Sequence, residues 1–130
     1  MKFVLEEVLR LPKSVKPSIL YWSKEYEMSA HACACGCGDV IYLPIDPANY
    51  KITVSPRGVT LRPSVGNWNV CDAHYLITDG AVQWAAKWTP EQIARGRARE
   101  DTRRTAYYAP PERSLLQKLL DRLLKLLRIR

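Results

Sequence analysis

His31-Ala-Cys33-Ala-Cys35-Gly-Cys37-Gly38, answered further along by Cys71-Asp-Ala-His74, decides how this chain is read. All four cysteines and both histidines of the sequence lie in these two segments. Thiolate and imidazole together favour a tetrahedral divalent ion, with Zn2+ the best fit. In a pleated strand the side chains of residues 31, 33, 35 and 37 would share one face. That is more donors than one ion needs, so Gly36 and Gly38 are expected to break the strand and select among them. The expected metal ligands are Cys71 and His74, completed by two of Cys33, Cys35 and Cys37, with His31 as the spare donor. Disulfides fit poorly, because cysteines at i, i+2 pair badly and no secretory signal implies an oxidising compartment. A Cys71 nucleophile with His74 as its base would leave the three clustered cysteines unexplained. Ordinary zinc ribbons use C-x-x-C, so C-x-C-x-C points to metal without matching a familiar finger class.

The length of 130 residues suits one domain with at most an appendage. A hydrophobic fraction of 47% is enough for a core, and a small β-rich core gains from a metal staple. The start Met1-Lys2-Phe3-Val4-Leu5-Glu6-Glu7 is charged too early for a signal peptide. No apolar run approaches the roughly 18 residues of a membrane span. A cytoplasmic protein with reduced cysteines is the expectation. The net charge of +7 is unevenly placed. Residues 1–94 carry nine basic and nine acidic groups, whereas residues 95–130 carry eleven basic and four acidic ones. The chain is therefore expected to divide into a β-rich metal-binding domain, 1–94, and a basic helical extension, 95–130.

Short strands with turn punctuation fill the first part. Ser18 to Ser23 is rich in β-formers. Met28 to Cys33 and Asp39 to Leu43 read as a hairpin with cysteines at its tip. Lys51 to Val54 and Val59 to Arg62 flank Ser55-Pro-Arg-Gly58 as a second hairpin. His74 to Thr78 and Ala81 to Trp84 flank Asp79-Gly80, a two-residue turn, as a third. Metal binding would join the first hairpin to the third. Phe3 to Leu11 is ambiguous between strand and short helix. Thr89-Pro-Glu-Gln92 is a capping box that opens a helix running to about Arg104, which Tyr107-Tyr-Ala-Pro-Pro111 interrupts. Glu112 to Arg130 reads as a second, amphipathic helix with a stripe of leucines from Leu115 and with Ile129 at its end. The fold class is α+β: a small hairpin-rich, zinc-stapled domain followed by one or two C-terminal helices.

Ile19-Leu-Tyr-Trp-Ser23, the cysteine stretch 31–38, Val59-Thr-Leu-Arg-Pro-Ser-Val-Gly-Asn-Trp68, Cys71-Asp-Ala-His-Tyr75 and Asp79-Gly-Ala-Val-Gln-Trp84 follow one another in a familiar order. In this the chain resembles the small bacterial and phage family called domain of unknown function 6527, over about Val15 to Trp88. The resemblance implies a metal-binding protein, often encoded beside bacterial ubiquitin-like proteins, their activating and conjugating enzymes, and metal-dependent isopeptidases. It puts the family's Cys and His motif positions on His31, Cys33, Cys35, Cys37, Cys71 and His74. Asp72-Ala73 stands where relatives often carry a basic residue and Ser. The leucine-rich tail lies outside the resemblance.

Together these features predict a zinc-binding adaptor or accessory protein of a ubiquitin-like conjugation pathway, and lean away from an enzyme. One alternative is a zinc-dependent hydrolase of the peptidase or isopeptidase kind, which would need an open metal position and a general base. The other is a basic zinc module tracking nucleic-acid phosphates with Arg95, Arg97, Arg99, Arg103 and Arg104 beside Tyr107 and Tyr108. Arg62 to Trp68 is expected to be a structural turn, with a substrate loop as the alternative, and Trp68 a lid over the cysteines; Trp84 and Trp88 are expected in the core. The leucine stripe, Leu115 to Ile129, must be covered. Self-association or a protein partner is the first expectation there, and a membrane surface the second.

Overall fold

The structure, a computed structural model, describes residues 1–109 and 114–128. It is α+β, with eight strands in two sheets followed by two helices. The first sheet holds β1 (Val4–Glu7), β2 (Ile19–Ser23), β3 (Met28–Ala32) and β4 (Val40–Pro44) in that order. The second holds β5 (Lys51–Ser55), β6 (Gly58–Asn67), β7 (Ala73–Thr78) and β8 (Ala81–Trp84), again in chain order. Each neighbour pairing is antiparallel except β1 with β2, which is parallel. All three hairpins therefore form where turn chemistry placed them. The ambiguous first segment resolves as strand, because Phe3 is buried and its amide donates to the Gly80 carbonyl across the sheets.

One buried cluster draws on both sheets. Phe3, Leu20, Cys33 and Leu43 meet Ile52, Val59, Leu61, Val65, Tyr75 and Ile77 there. His31 is fully buried among them, with its Nε2 sharing a hydrogen bond of 2.7 Å with the Tyr75 hydroxyl. Burial depresses the His31 pKa to about 4, since a charged ring would be stripped of water. His31 is thus a core residue.

The helix α1 (Pro90–Tyr108) starts at the expected capping box, with Thr89 and Gln92 bonding one another's backbone amides. It runs past Arg104 through both tyrosines. No residue before Ala109 is unable to take helical geometry, and only the following Pro110 disfavours it. Its arginines are largely committed within the chain. Arg103 donates to the Ala48 carbonyl (2.9 Å), Arg104 to Asn49 (2.6 Å), and Tyr108 to the Asp46 carboxylate (2.7 Å). Gly96, the only buried residue of α1, lies under the Trp88 ring. The sequence division at residue 94 thus falls inside a helix anchored on the 46–49 loop. A second helix, α2 (Leu115–Arg128), is capped by Ser114, which exchanges bonds with Gln117. Glu112, Arg113, Ile129 and Arg130 of the expected tail helix lie outside the described residues. No helix among the described residues is long and apolar enough to cross a membrane.

Candidate functional site

The strand β3 stops at Ala32, and Cys33 to Asp39 turn back through Gly36 and Gly38, both at positive φ. The turn closes with Cys33 donating to the Asp39 carbonyl (2.8 Å) and Gly36 to the Cys33 carbonyl (3.1 Å). The facing loop between β6 and β7 is wound around the Asn67 carbonyl, which accepts from the amides of Val70, Cys71 and Asp72. The Asn67 side chain then donates to the Asp39 carboxylate at 3.0 Å, clasping the two loops together. The result is that Cys33, Cys35, Cys37 and Cys71 hold their sulfurs within 4.8 Å of one another, an arrangement consistent with a metal site. Cys33 Sγ is 3.5 Å from Cys35 Sγ and 3.7 Å from Cys71 Sγ. Hydrogen bonding from Cys37 pushes the Cys35 thiol up, while the Asp39 amide holds Cys37 down.

His74 is not in that group. Although Cys71-x-x-His74 has ligand spacing, the ring lies on the other face of β7 and both its nitrogens are engaged. Nδ1 lies 2.6 Å from the Ala86 carbonyl oxygen and Nε2 lies 2.8 Å from Ser64 Oγ. A carbonyl can only accept, so in the neutral ring Nδ1 carries the proton and donates it to Ala86. Nε2 is then an acceptor, and the Ser64 hydroxyl donates to it. The cluster thus gathers all three cysteines of the turn with Cys71, a fourth sulfur where His74 was expected.

Three features put Ser64 there. Leu61 pairs with Ile77 and Val65 with Tyr75, which leaves β6 with two extra residues between those pairs. Bulges of this kind re-aim side chains beside functional sites. The Arg62 guanidinium occupies the opening and donates to the Ile77 carbonyl (3.0 Å) and to Thr78 (2.7 Å). Tyr50 donates to the Ser64 carbonyl at 3.1 Å, and burial pushes the Tyr50 phenol up to about 12, so it stays a donor. On the other side, Ala85 donates to the His74 carbonyl at 2.8 Å and continues the β7–β8 pairing far enough to present Ala86 to the ring.

Ser64 and His74 line a cleft of about 370 Å³ between the second sheet and α1. Trp68 covers His74, with ring centres 4.9 Å apart, and stacks on Trp88 at 5.6 Å. Trp68 is therefore a wall of this cleft and not a lid over the cysteines. Trp84, expected in the core, is 59% exposed. Arg97, Arg99, Arg103 and Arg104 line the cleft's helical side together with Glu100, which gives it a positive rim.

A buried imidazole oriented at one nitrogen and holding a serine hydroxyl at the other is the constellation of nucleophilic acyl transfer. A family model described as "Bacterial ubiquitination-like system serine protease (BubE)" matches residues 7–85, more than half of the chain. The chain belongs to the BubE family. That supports the association with bacterial ubiquitin-like systems implied by the sequence resemblance, under this description and not the domain-of-unknown-function number. No curated protein and no solved structure matches the chain. The matched region contains every residue of the cysteine cluster and both Ser64 and His74.

Ser64 is the candidate that sequence reasoning missed. Its only signal was position: a polar residue directly after a conformationally restricted Arg62-Pro63 and two before Gly66. Gly66 itself explains the closeness of the wall. A Cβ built on it would collide with the Trp68 indole. Gly66→Ala is expected to push Trp68 off His74 and Trp88, which a shift in indole fluorescence checks.

Proposed function

We propose that this protein is a serine peptidase of a bacterial ubiquitin-like conjugation system, stapled by one structural zinc. The observation that carries the reading is the relay from Ser64 through His74 to the Ala86 carbonyl, at 2.8 and 2.6 Å, inside a cleft. In this reading Ser64 Oγ attacks an amide carbonyl while His74 Nε2 takes the hydroxyl proton. Collapse of the tetrahedral adduct breaks the C–N bond, and His74 returns that proton to the departing amine. Water, deprotonated by the same nitrogen, then attacks the Ser64 ester; the acyl–Oγ bond breaks, His74 returns the proton to Ser64 Oγ, and the acid leaves. Ala86 keeps the ring in the tautomer that can accept. Substrates are proteins of the same system, and the arginine rim favours a chain bearing acidic groups or a free carboxylate.

The four sulfurs fit zinc. Bonds of 2.3 Å in a tetrahedron set sulfurs about 3.8 Å apart, close to the 3.5 and 3.7 Å separations of Cys33 from Cys35 and Cys71. Cys33, Cys35, Cys37 and Cys71 would hold the ion as thiolates, and it would supply folding energy and tie the β6–β7 loop to the turn after β3. A serine-directed fluorophosphonate probe tests the reading. One covalent adduct, mapped to Ser64 by tandem mass spectrometry, is expected. A folded, metal-loaded protein that takes no label, or takes it only at Cys71, would overturn it.

A further inference from the structure

The leucines of α2 are covered by nothing in the described structure. Leu115, Leu116, Leu119, Leu120, Leu123, Leu124, Leu126 and Leu127 are each between 50% and 79% exposed. Set around the helix at about 100° per residue, they fill one unbroken arc of about 180° with no polar residue inside it. Gln117, Lys118, Asp121, Arg122, Lys125 and Arg128 fill the other half. The width of the arc decides what it fits. A two-stranded coiled coil buries an a/d seam, which is much narrower, so pairing with a second copy would leave the flanking leucines in water. A helix lying in a bilayer interface buries half its circumference.

The charges point the same way. Four of the six polar residues are basic and one is acidic. Arg122 and Arg128 sit near the two margins of the leucine arc, where long side chains can extend from the apolar boundary to lipid phosphates. At 14 residues the helix is about 21 Å long, too short to span the hydrocarbon core of about 30 Å.

We infer that α2 is an interfacial anchor that lays its leucine face into an anionic lipid bilayer, with Lys118, Arg122, Lys125 and Arg128 at the level of the phosphates. This holds whether or not the cleft is a peptidase site. The full chain is sedimented with vesicles of phosphatidylcholine plus phosphatidylglycerol, and with vesicles of phosphatidylcholine alone. It should pellet with the first, less so as salt rises, and stay in solution with the second. Leu119→Asp with Leu123→Asp should abolish pelleting. Lys118→Glu with Lys125→Glu should lower it by about thirtyfold or more. No α2 residue is buried, so melting and metal content should be unchanged in both variants. Absence of pelleting with anionic vesicles overturns the inference. So does a dimer in light scattering that binds no lipid and is dissociated by the two aspartates, which would assign the leucine face to a second copy.

Discussion

Ser64→Ala is expected to lower kcat/KM for peptide cleavage by about ten-thousandfold or more, to the level left by binding alone. The variant loses one hydroxyl from a half-buried site and no packing, so its melting temperature and metal content should match the parent. His74→Ala should cost about as much, and the double variant little more, because nucleophile and base act as one unit. That non-additivity separates a true dyad from two residues that merely shape the cleft. Retention of activity within about tenfold in Ser64→Ala would move the nucleophile elsewhere, with Cys71 the first alternative. The Ala86 carbonyl is neutral and offers the imidazolium no full countercharge. Turnover of the parent should accordingly be slower than that of enzymes with a carboxylate in this position.

Removing the metal, or replacing Cys71 by serine, should abolish the cooperative fold. Cys71 is the sole sulfur donated by the β6–β7 loop; the other three belong to the turn after β3. Its loss leaves three sulfurs, one short of a closed zinc shell, and only the Asn67–Asp39 hydrogen bond to clasp the two loops. Binding energy for structural zinc is largely folding energy, so the melting midpoint should fall by at least about 15 °C, with loss of a sharp transition. Elemental analysis should find about one zinc per chain before treatment. Activity should vanish with it, since Asn67, Trp68 and Cys71 sit in the loop that walls the cleft. A metal-free chain that melts at the parent temperature would refute the staple.

The hairpins were legible because their turns are built from residues with few alternatives, such as Asp79-Gly80 and the Cys-Gly tip. The cysteine cluster was legible because all four thiols fall in two short segments, a pattern that suits a shared metal ion. His74 was read as a metal ligand from its spacing to Cys71, since imidazole serves metals and hydroxyls equally well, whereas its ring bonds Ala86 and Ser64. What separated them was strand parity: Ala73 and Tyr75 face the core and His74 faces the opposite side, beside Ser64. The bulge in β6 was invisible, because register is a property of two strands and Arg62 to Trp68 carries only weak turn signals. The extent of α1 was underestimated for a different reason. Its tyrosines look like a break, but Tyr108 is held on the Asp46 carboxylate.

The partner that orients His74 is a main-chain oxygen, placed by the pairing of Ala85 with the strand that carries the histidine. Such a group has no codon of its own. Residue 86 can change identity while its carbonyl stays where it is, so a substitution map of the chain would mark a serine and a histidine and pass over the third participant. The heritable part of that contact is the geometry of a strand end, and a sequence comparison seeking an acidic residue in this role would be looking for something the chemistry here does without.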